Sequence, residues 1–196
     1  PLQIGVQLLP TLFRDFKNLY PEIELEVVEA GGIDSLRMIE NEELDLAVTN
    51  YDDSFSPNLH YRKLFKSEAC FCTYPDHPLA QKKYVDTKDI ANEPLVLLNG
   101  GFFVNRLIYQ NFQQALTAPK VILHSSQLHT VKNLISSQIA SSFLMRQAIT
   151  ASDNIIPLSL KKPLFINSGI VTKRGRQIYG DEQKLIEFIC DNQPLG

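Results

Sequence analysis

No apolar run in this sequence approaches the roughly 18 residues that a membrane-spanning helix needs. The chain also lacks a long block of lysine and arginine, and its formal net charge is -3. These absences exclude a membrane-spanning segment and count against direct contact with nucleic acid. The first residues, PLQIGV, have neither the charged nor the apolar region of a signal peptide. We therefore expect a cytoplasmic domain that contacts no membrane.

Cysteine is scarce, and the three that occur, Cys70, Cys72 and Cys190, are an odd number without the spacing of a disulfide framework. This pattern fits a reducing compartment. Cys70 and Cys72 stand two apart on a predicted strand and would face the same side, but a zinc ion would need two further ligands. No C-x-x-C or H-x-x-x-H spacing supplies them. We predict neither a metal nor a cofactor.

Common catalytic and nucleotide-binding motifs are missing too, since the sequence has no G-x-S-x-G, P-loop or G-x-G-x-x-G. One stretch, TYPDHPLAQ at residues 73–81, sets Asp76 beside His77 and raises the question of a general base. The prolines on either side predict a turn that leads out of a strand. Adjacent side chains on an extended chain also point in different directions. We predict that His77 is structural and that no residue is catalytic.

What the sequence does contain is a series of short apolar runs that alternate with amphipathic stretches, the pattern of an α/β protein. In the first part, the predicted strands are LQIGV, IELEVVEA and LDLAVTN. A helix from Leu8 to Leu19, ended by Tyr20-Pro21, is predicted after the first strand. A second helix is predicted through Ile33, Leu36 and Ile39. The opening is thus predicted to be βαβαβ.

A second series of the same kind follows, which suggests two lobes. Its predicted elements are the strand PLVLL, a helix from Phe103 to Leu116, the strand KVILH, a helix from Leu128 to Ile135 and the strand ASSFL. Near the end, LFINSGIVTK is predicted as a strand. DEQKLIEFIC is predicted as a helix with Leu185, Ile186 and Ile189 facing inward.

Five pieces of the sequence, in their order and spacing, resemble the effector-binding domain of LysR-type transcriptional regulators. They are FKNLYPEIELEVVEAG, LRMIENEELDLAVTN, DHPLA, DIANEPLVLL and VKNLISSQIASSFLMRQAI. The resemblance covers most of the chain. It implies a fold like that of periplasmic solute-binding proteins, with two Rossmann-like α/β lobes, two crossover strands that join them and a small-molecule cleft between them.

The resemblance also implies a domain organisation. Lobe I would comprise residues 1–70 and 167–196, and lobe II residues 71–166. The winged helix-turn-helix that binds DNA in this family precedes this region and is absent from the chain. The abrupt start at PLQIGV leads us to expect a chain trimmed from a longer protein. DNA would then be a partner only through that missing domain.

By the same resemblance, an effector binds where strand ends meet helix starts, because unpaired N–H groups there favour anions. Three loops fit, one after the first strand, one in LLNGGFFVNR and one in HSSQLHT. The predicted effector-binding residues are Gly5, Val6, Gln7, Thr49, Asn50, Asn99, Gly101, Phe102, Phe103, Ser125, Ser126, Gln127, Ser141 and Ser142. Asn50 and Ser126 are the first to test.

Each of these loops allows more than one interpretation. Relatives carry roughly eight more residues between the strand glycine and the LLP run, so the first loop departs from the family. In the second loop, Asn99-Gly100-Gly101 frees the backbone to approach a ligand. Phe102 and Phe103 either line the site or fill the core. Ser125 or Ser126 can cap the next helix. Arg106 or Arg146 could pair with an acidic effector.

The function implied is a ligand-sensing regulatory module, in which a bound metabolite shifts the lobes and so changes how dimers or tetramers of a regulator place their DNA-binding domains. Self-association would use faces at residues 31–39 and 126–136. Two alternatives stay open, a solute receptor of a transporter and an enzyme on the same scaffold, because a fold alone does not determine a function.

Overall fold

A computed structural model describes residues 2–51, 55–99 and 101–192, and among residues 2–7 it describes the side chains of residues 4 and 5 only. The helices are α1 (Leu2–Thr11), which runs through a π-helical turn (Leu12–Phe16) into α2 (Lys17–Leu19), then α3 (Gly32–Glu40), α4 (Phe103–Gln114), α5 (Leu128–Ser136) and α6 (Gly180–Asp191). The strands are β1 (Ala47–Tyr51), β2 (Leu59–Thr73), β3 (Pro94–Leu98), β4 (Lys120–Ser125), β5 (Ser142–Met145), β6 (Ile156–Leu158) and β7 (Leu164–Lys173). None of the helices in these ranges is both long and apolar enough to cross a membrane.

The chain divides into two compact units. Unit 1 consists of residues 1–66 and 167–196, and unit 2 consists of residues 67–166. Both β2 and β7 begin in one unit and end in the other, so the chain passes between the units along these two strands.

Unit 1 begins with a helix where the sequence predicts a strand, so the prediction for LQIGV is wrong. The buried side chains of this stretch recur every four residues and are Ile4, Leu8, Leu12 and Phe16. This is the spacing of one helix face, not of a strand. A five-residue apolar run does not distinguish the two conformations by itself. The helical stretch ends at Leu19, before Tyr20-Pro21, as predicted.

The predicted strand IELEVVEA is not formed either, and the βαβαβ opening is therefore wrong. Residues 23–31 are irregular and join no sheet. The following helix is confirmed as α3, with Leu36 and Ile39 buried. LDLAVTN contains the strand β1, but β1 pairs antiparallel with β7, from Ala47 opposite Val171 to Tyr51 opposite Asn167. The near-continuous apolar run had suggested parallel neighbours.

The core of unit 1 joins chain segments that are far apart in the sequence. Residues of the first helical stretch pack with residues of β7 and α6; the cluster comprises Ile4, Leu8, Leu12, Phe16, Ile23, Ile170, Ile186, Phe188 and Ile189. The rings of Phe16 and Phe188 meet edge to face with centroids 5.2 Å apart. The predicted inward positions Ile186 and Ile189 are confirmed as buried.

Unit 2 follows the sequence prediction closely. β3 and β4 form a parallel pair, and each is followed by a helix, α4 after β3 and α5 after β4. The last two residues of the predicted helix, Ala115 and Leu116, lie outside α4, which ends at Gln114, and Leu116 has a positive φ of 55°. The last part of β2 pairs antiparallel with β5 and with β6.

Aromatic side chains occupy the middle of unit 2. Phe143 of β5 lies between Phe71 of β2 and Phe112 of α4, with ring centroids 5.8 Å and 6.4 Å away. All three rings are buried. Edge-to-face contacts of this kind add to the stability gained from burial, so the packing fixes α4 against β2 and β5.

Candidate functional site

The carboxyl ends of β3 and β4 bring together two of the three predicted effector loops. Leu98 and Ser125 are register partners at these ends. The backbone N–H of Asn99 donates to the carbonyl oxygen of Ser125 over 2.9 Å. Gly101 follows in the same loop and is half-buried, whereas Gly100 lies outside the described residues. In α/β sheets, ligands bind at such strand ends.

Two helices start directly after these strand ends, and neither start has an acidic residue or a side-chain cap. The N-cap residues are Phe102 for α4 and Gln127 for α5, and neither makes a capping hydrogen bond with its side chain. The first turns of both helices contain no acidic residue. Their backbone N–H groups and positive dipole ends therefore favour an anion at this edge.

Asn105, in the first turn of α4, is a residue that we did not predict. It is buried, and its Nδ2 donates to the carbonyl oxygens of Leu98 and, over 3.0 Å, of Asn99. These bonds fix the end of β3 to the start of α4. Its Oδ1 is buried and has no hydrogen-bond partner among the described residues. The sequence held a signal, because Asn105 stands on the same helix face as the apolar Ile108 and Phe112.

Phe102 and Phe103 are both buried and belong to the apolar core. Phe103 is on the helix face that meets the core of unit 2. Phe102 precedes the helix in an extended conformation. Their contact with an effector stays a prediction.

The serines of the second strand end do not cap α5, so the expected cap is wrong. Ser125 Oγ accepts a hydrogen bond from the Gln127 N–H over 3.1 Å and so closes a tight turn before the helix. The helix begins at Leu128, one residue too late for Ser126 to be its N-cap. The Ser126 side chain is exposed and bonds to no described residue. Its hydroxyl is therefore accessible at the edge where α5 starts.

Ser141 and Ser142 lie at the other end of the strands. Ser141 is paired with Leu95 near the start of β3, away from Asn99. Both serines are buried, and their hydroxyls donate within unit 2, Ser141 to Thr73 Oγ1 over 2.9 Å and Ser142 to the Val96 carbonyl over 2.5 Å. The structure does not bring them to the loops at Asn99 and Ser125, and it gives their hydroxyls structural partners.

Thr49 and Asn50 lie in β1 of unit 1, and both are buried. Thr49 Oγ1 donates to the carbonyl oxygen of Asn50 over 3.1 Å. Asn50 Oδ1 accepts a hydrogen bond from Ser168 Oγ over 2.6 Å, because the antiparallel register sets the two residues opposite each other. No sequence signal joins Asn50 to a residue so far along the chain. That Asn50 contacts an effector stays a prediction.

The first predicted loop is not a loop in this structure. Gly5, Val6 and Gln7 belong to α1, and the side chains of the last two lie outside the described part. A Cβ on Gly5 would approach Glu29 Oε1 to 2.6 Å, so this position packs against the segment before α3. The helical stripe of buried residues explains why the chain does not turn here.

Only one of the two candidate arginines is available for a ligand. Arg146 Nη2 lies 2.7 Å from Glu68 Oε2 and also donates to Ser159 Oγ over 2.9 Å, so its guanidinium is paired with residues of unit 2. Arg106 is exposed in the first turn of α4 and forms no ion pair with a described residue. It stands at the helix start that the anion argument favours.

The two cysteines of β2 are poor nucleophiles. Both Cys70 and Cys72 are buried. Burial raises the pKa of the Cys70 thiol to about 12, and it also raises the pKa of Cys72. Because the thiolate is the reactive form, both side chains remain inert thiols at neutral pH.

His77 is held on both ring nitrogens within unit 2. Nδ1 accepts a hydrogen bond from the Leu79 N–H over 3.1 Å, so the ring proton is on Nε2, which lies 3.1 Å from Glu93 Oε2. The side chain is buried and starts the short 3-10 helix Pro78–Gln81. This agrees with the predicted structural role of the turn. Among the described residues, no group of three or more His, Cys, Asp or Glu side chains could hold a metal ion.

Comparison with known proteins relates most of the chain to transcriptional regulators. Residues 1–193 match the model of the LysR substrate binding domain. The chain is similar to the transcriptional dual regulator GltC of Bacillus subtilis (strain 168), with 26% identity over 198 residues, covering 96% of this chain and 64% of that protein. It is also similar to the HTH-type transcriptional regulator MetR of Salmonella typhimurium, with 30% identity over 92 residues, covering 47% and 29%. It spans less than two thirds of either protein.

Two solved structures share the fold. The regulatory domain of CcmR from Synechocystis PCC6803, in complex with 2-PG, has a TM-score of 0.86 and 18% identity, covering 96% of this chain and 92% of that one. The effector binding domain of QuiR, in complex with shikimate, has a TM-score of 0.79 and 20% identity, covering 96% and 91%. At these identities the likeness shows the fold alone, and it confirms the predicted fold class, the two-lobe α/β fold of LysR effector-binding domains. Because the family model matches nearly every residue, this chain belongs to the LysR substrate-binding domain family.

Proposed function

We propose that this chain is the effector-sensing domain of a bacterial transcription regulator and that it binds a small anionic metabolite at the carboxyl ends of β3 and β4. One observation carries the proposal. Two helices start directly after these adjacent strand ends, and both starts lack a side-chain cap and an acidic first turn. Their N–H groups can therefore donate to a carboxylate or a phosphate.

The side chains around this edge support the same class of ligand. Ser126 has an exposed hydroxyl at the start of α5, and Arg106 has an exposed guanidinium in the first turn of α4. The Asn105 side chain donates to the carbonyl oxygens of Leu98 and Asn99 and so connects the end of β3 to the start of α4. N–H groups that the fold already orients bind an anion with little cost of reorganisation. The small effectors in the CcmR and QuiR structures are consistent with such a ligand.

Binding, not covalent chemistry, is the activity that these side chains support. The thiols of Cys70 and Cys72 are buried with raised pKa values, and His77 uses both ring nitrogens inside unit 2. A solute receptor would bind a ligand in the same way. We favour a regulator because the curated relatives GltC and MetR are transcriptional regulators.

The wider setting of the domain is part of the proposal. Units 1 and 2 would correspond to the two lobes, and the domain would act in the cytoplasm as part of a homodimer or a higher oligomer. Contact with DNA would come through a winged helix-turn-helix outside this chain. A winged-helix sequence before residue 1 of the intact protein would support this setting, whereas a signal peptide or a lipid-anchor cysteine there would support a transporter receptor.

A thermal-shift screen of the purified chain tests the sensing site. The panel contains carboxylates such as shikimate, phosphorylated acids and amino acids. A ligand at about 100 times its Kd stabilises the folded state by about 2.7 kcal/mol, which gives a measurable rise in Tm. Ser126→Ala and Arg106→Gln should each weaken binding of the compound that scores, roughly tenfold for loss of a hydrogen bond to a charged group worth about 1.5 kcal/mol.

Arg37→Gln is the matched control, because Arg37 is an exposed arginine of unit 1. It should leave the ligand-dependent shift unchanged. Equal affinity in all three variants would place the ligand elsewhere and contradict the proposed site. If no compound of the panel raises the Tm in a saturable way, this would contradict the proposal that the chain senses such anions.

A further inference from the structure

A cavity of about 360 Å³ lies in unit 2 at the carboxyl end of α4, whereas the proposed effector site lies at the start of this helix. A cavity of this size suits a small metabolite. Residues 86–88 and 160–162 line it together with residues of the last turn of α4. Three of its described lining residues are lysines, namely Lys88, Lys161 and Lys162.

The backbone sets residues 86–88 beside residues 160–162. Val85 forms a parallel bridge with Leu160. The Val85 N–H donates over 3.0 Å and its carbonyl oxygen accepts over 2.8 Å, both with the backbone on either side of Leu160. Because the bridge is parallel, the two segments leave it in the same direction. Both segments therefore reach one cavity and bring their lysines to it.

Positive charge exceeds negative charge among the residues that line this cavity. Lys88 and Lys162 are exposed, and neither ammonium group bonds to a residue that the structure describes. Asp86 is the one acid among the described lining residues. Its carboxylate accepts the Lys88 N–H over 3.2 Å and lies 3.9 Å from Lys161 Nζ. Two ammonium groups are thus left without a counter-charge, which favours an anion.

Two side-chain amides line the same cavity and can donate to such an anion. The buried Thr87 donates its hydroxyl hydrogen to Asn111 Oδ1. This bond engages the acceptor of the amide and leaves its donor group, Nδ2, without a partner in the described part of the chain. Gln114 is exposed, and its side-chain amide is also unpaired there. Amide donors add direction to the attraction of lysines, which act on an anion mainly as point charges.

The end of α4 opposes an anion here, because the carboxyl end of a helix carries partial negative charge. Its last carbonyl groups are largely engaged, however. The carbonyl oxygens of Asn111, Phe112 and Gln113 accept hydrogen bonds from the N–H groups of residues 115, 117 and 116, over 3.2, 3.0 and 2.9 Å. These bonds satisfy carbonyl groups that a helix end otherwise leaves free.

From these features we infer that the cavity binds a small molecule through a phosphate or pyrophosphate group. The two unpaired ammonium groups neutralise the charge of this group, and the amides of Asn111 and Gln114 donate to its oxygens. The buried Leu160 and the aliphatic parts of the lysine side chains supply an apolar surface for the rest of the molecule. This ligand is separate from the effector at the ends of β3 and β4.

Isothermal titration calorimetry of the intact chain with pyrophosphate tests the site. We expect saturable binding at low ionic strength that weakens as salt is added. The double variant Lys88→Gln with Lys162→Gln should weaken binding at least about tenfold, because it removes two charge-assisted contacts. Asn111→Asp should weaken it by as much. The new carboxylate still accepts the hydroxyl of Thr87, but it repels the anion.

The matched control is Lys83→Gln with Lys120→Gln, which replaces two exposed lysines of unit 2 outside the cavity. It changes the net charge by the same amount and should bind pyrophosphate like the unaltered chain. The double variant Arg106→Gln with Ser126→Ala should also leave binding unchanged, since it alters the strand-end site alone. Far-UV circular dichroism shows whether each variant is folded.

Three outcomes would overturn the inference. Equal losses in the two double lysine variants would mean a response to net charge. A loss of binding in Arg106→Gln with Ser126→Ala would place the pyrophosphate at the ends of β3 and β4. A titration without saturable binding to the unaltered chain would mean that the cavity does not hold such a group.

Discussion

Gly169 shows how a single residue of β7 permits two strands to lie together. A Cβ at this position would come within 2.3 Å of the Arg62 carbonyl oxygen and within 3.0 Å of the Lys63 Cα, both of them backbone atoms of β2. Backbone atoms of a paired strand cannot move aside as the end of a flexible side chain can. The neighbouring Ser168 supplies the hydroxyl that binds Asn50, so the packing at Gly169 also fixes this contact.

We therefore predict that Gly169→Ala lowers the free energy of unfolding by about 1–3 kcal/mol, the usual cost of overpacking a well-filled interior. Urea denaturation followed by circular dichroism measures the change. Gly180→Ala is the matched control, because no atom lies within 4 Å of its added Cβ. At the start of α6, alanine should be neutral or stabilise by up to about 1 kcal/mol. Equal stability of the two variants would contradict the close approach of β7 and β2.

Among site residues, the sequence could predict positions that follow directly from strand ends. Asn99 and Ser125 were predicted to lie in two effector loops because each follows an apolar strand, and the structure sets them side by side. Ser168 was missed, because its proximity to Asn50 depends on an antiparallel register between distant strands. Asn105 could have been found from its place on the buried face of α4. Its hydrogen bonds to Leu98 and Asn99 could not have been predicted, since they depend on the path of the loop that precedes α4.

At the scale of elements, predictions held where the pattern and the neighbours agreed. β3 and β7 have the predicted limits, Pro94–Leu98 and Leu164–Lys173, and each has a strand partner, β4 for β3 and β1 for β7. The two failures, at residues 2–6 and 23–30, were runs that a strand partner would have had to stabilise. Neither finds such a partner, and the first joins a longer helical stripe instead.

Pro10 makes the helix α1 a sensitive test of this correction. It lies inside the helix, where proline removes a backbone hydrogen bond and crowds the preceding turn. We predict that Pro10→Ala raises the stability by about 1–3 kcal/mol and increases the helical signal in far-UV circular dichroism. The side chain is exposed, so the substitution creates no cavity.

The control for this prediction is Pro21→Ala, just beyond the helical stretch in a turn. There, proline restricts the unfolded chain, and its loss should lower the stability by about 0.4–1 kcal/mol. The two substitutions should thus have opposite signs. If Pro10→Ala were neutral or destabilising, residues 2–11 would not be helical in solution, and the strand predicted for LQIGV would regain support.

At the scale of the whole molecule, the two units are built from the chain in different ways. Unit 2 is one continuous segment, residues 67–166, whereas unit 1 needs residues 1–66 and 167–196 together. The core of unit 1 depends on this return of the chain, because Phe16 of the amino-terminal stretch packs against Phe188 of α6. The pairing of β1 depends on it as well, since β7 is its partner.

The last prediction follows from this difference in connectivity. We expect residues 67–166 produced alone to fold, because a segment of this length buries enough surface for a core and contains the packed rings of Phe71, Phe112 and Phe143. A cooperative urea transition, coincident by far-UV circular dichroism and tyrosine fluorescence, would show this. Residues 1–66 produced alone should give no such transition, because they lack Ile170, Ile186 and Ile189 of their core. A cooperative transition of residues 1–66 would contradict the prediction, because unit 1 would then not need residues 167–196 for its core. The absence of a transition for residues 67–166 would also contradict it, because the core of unit 2 would then not be sufficient for folding.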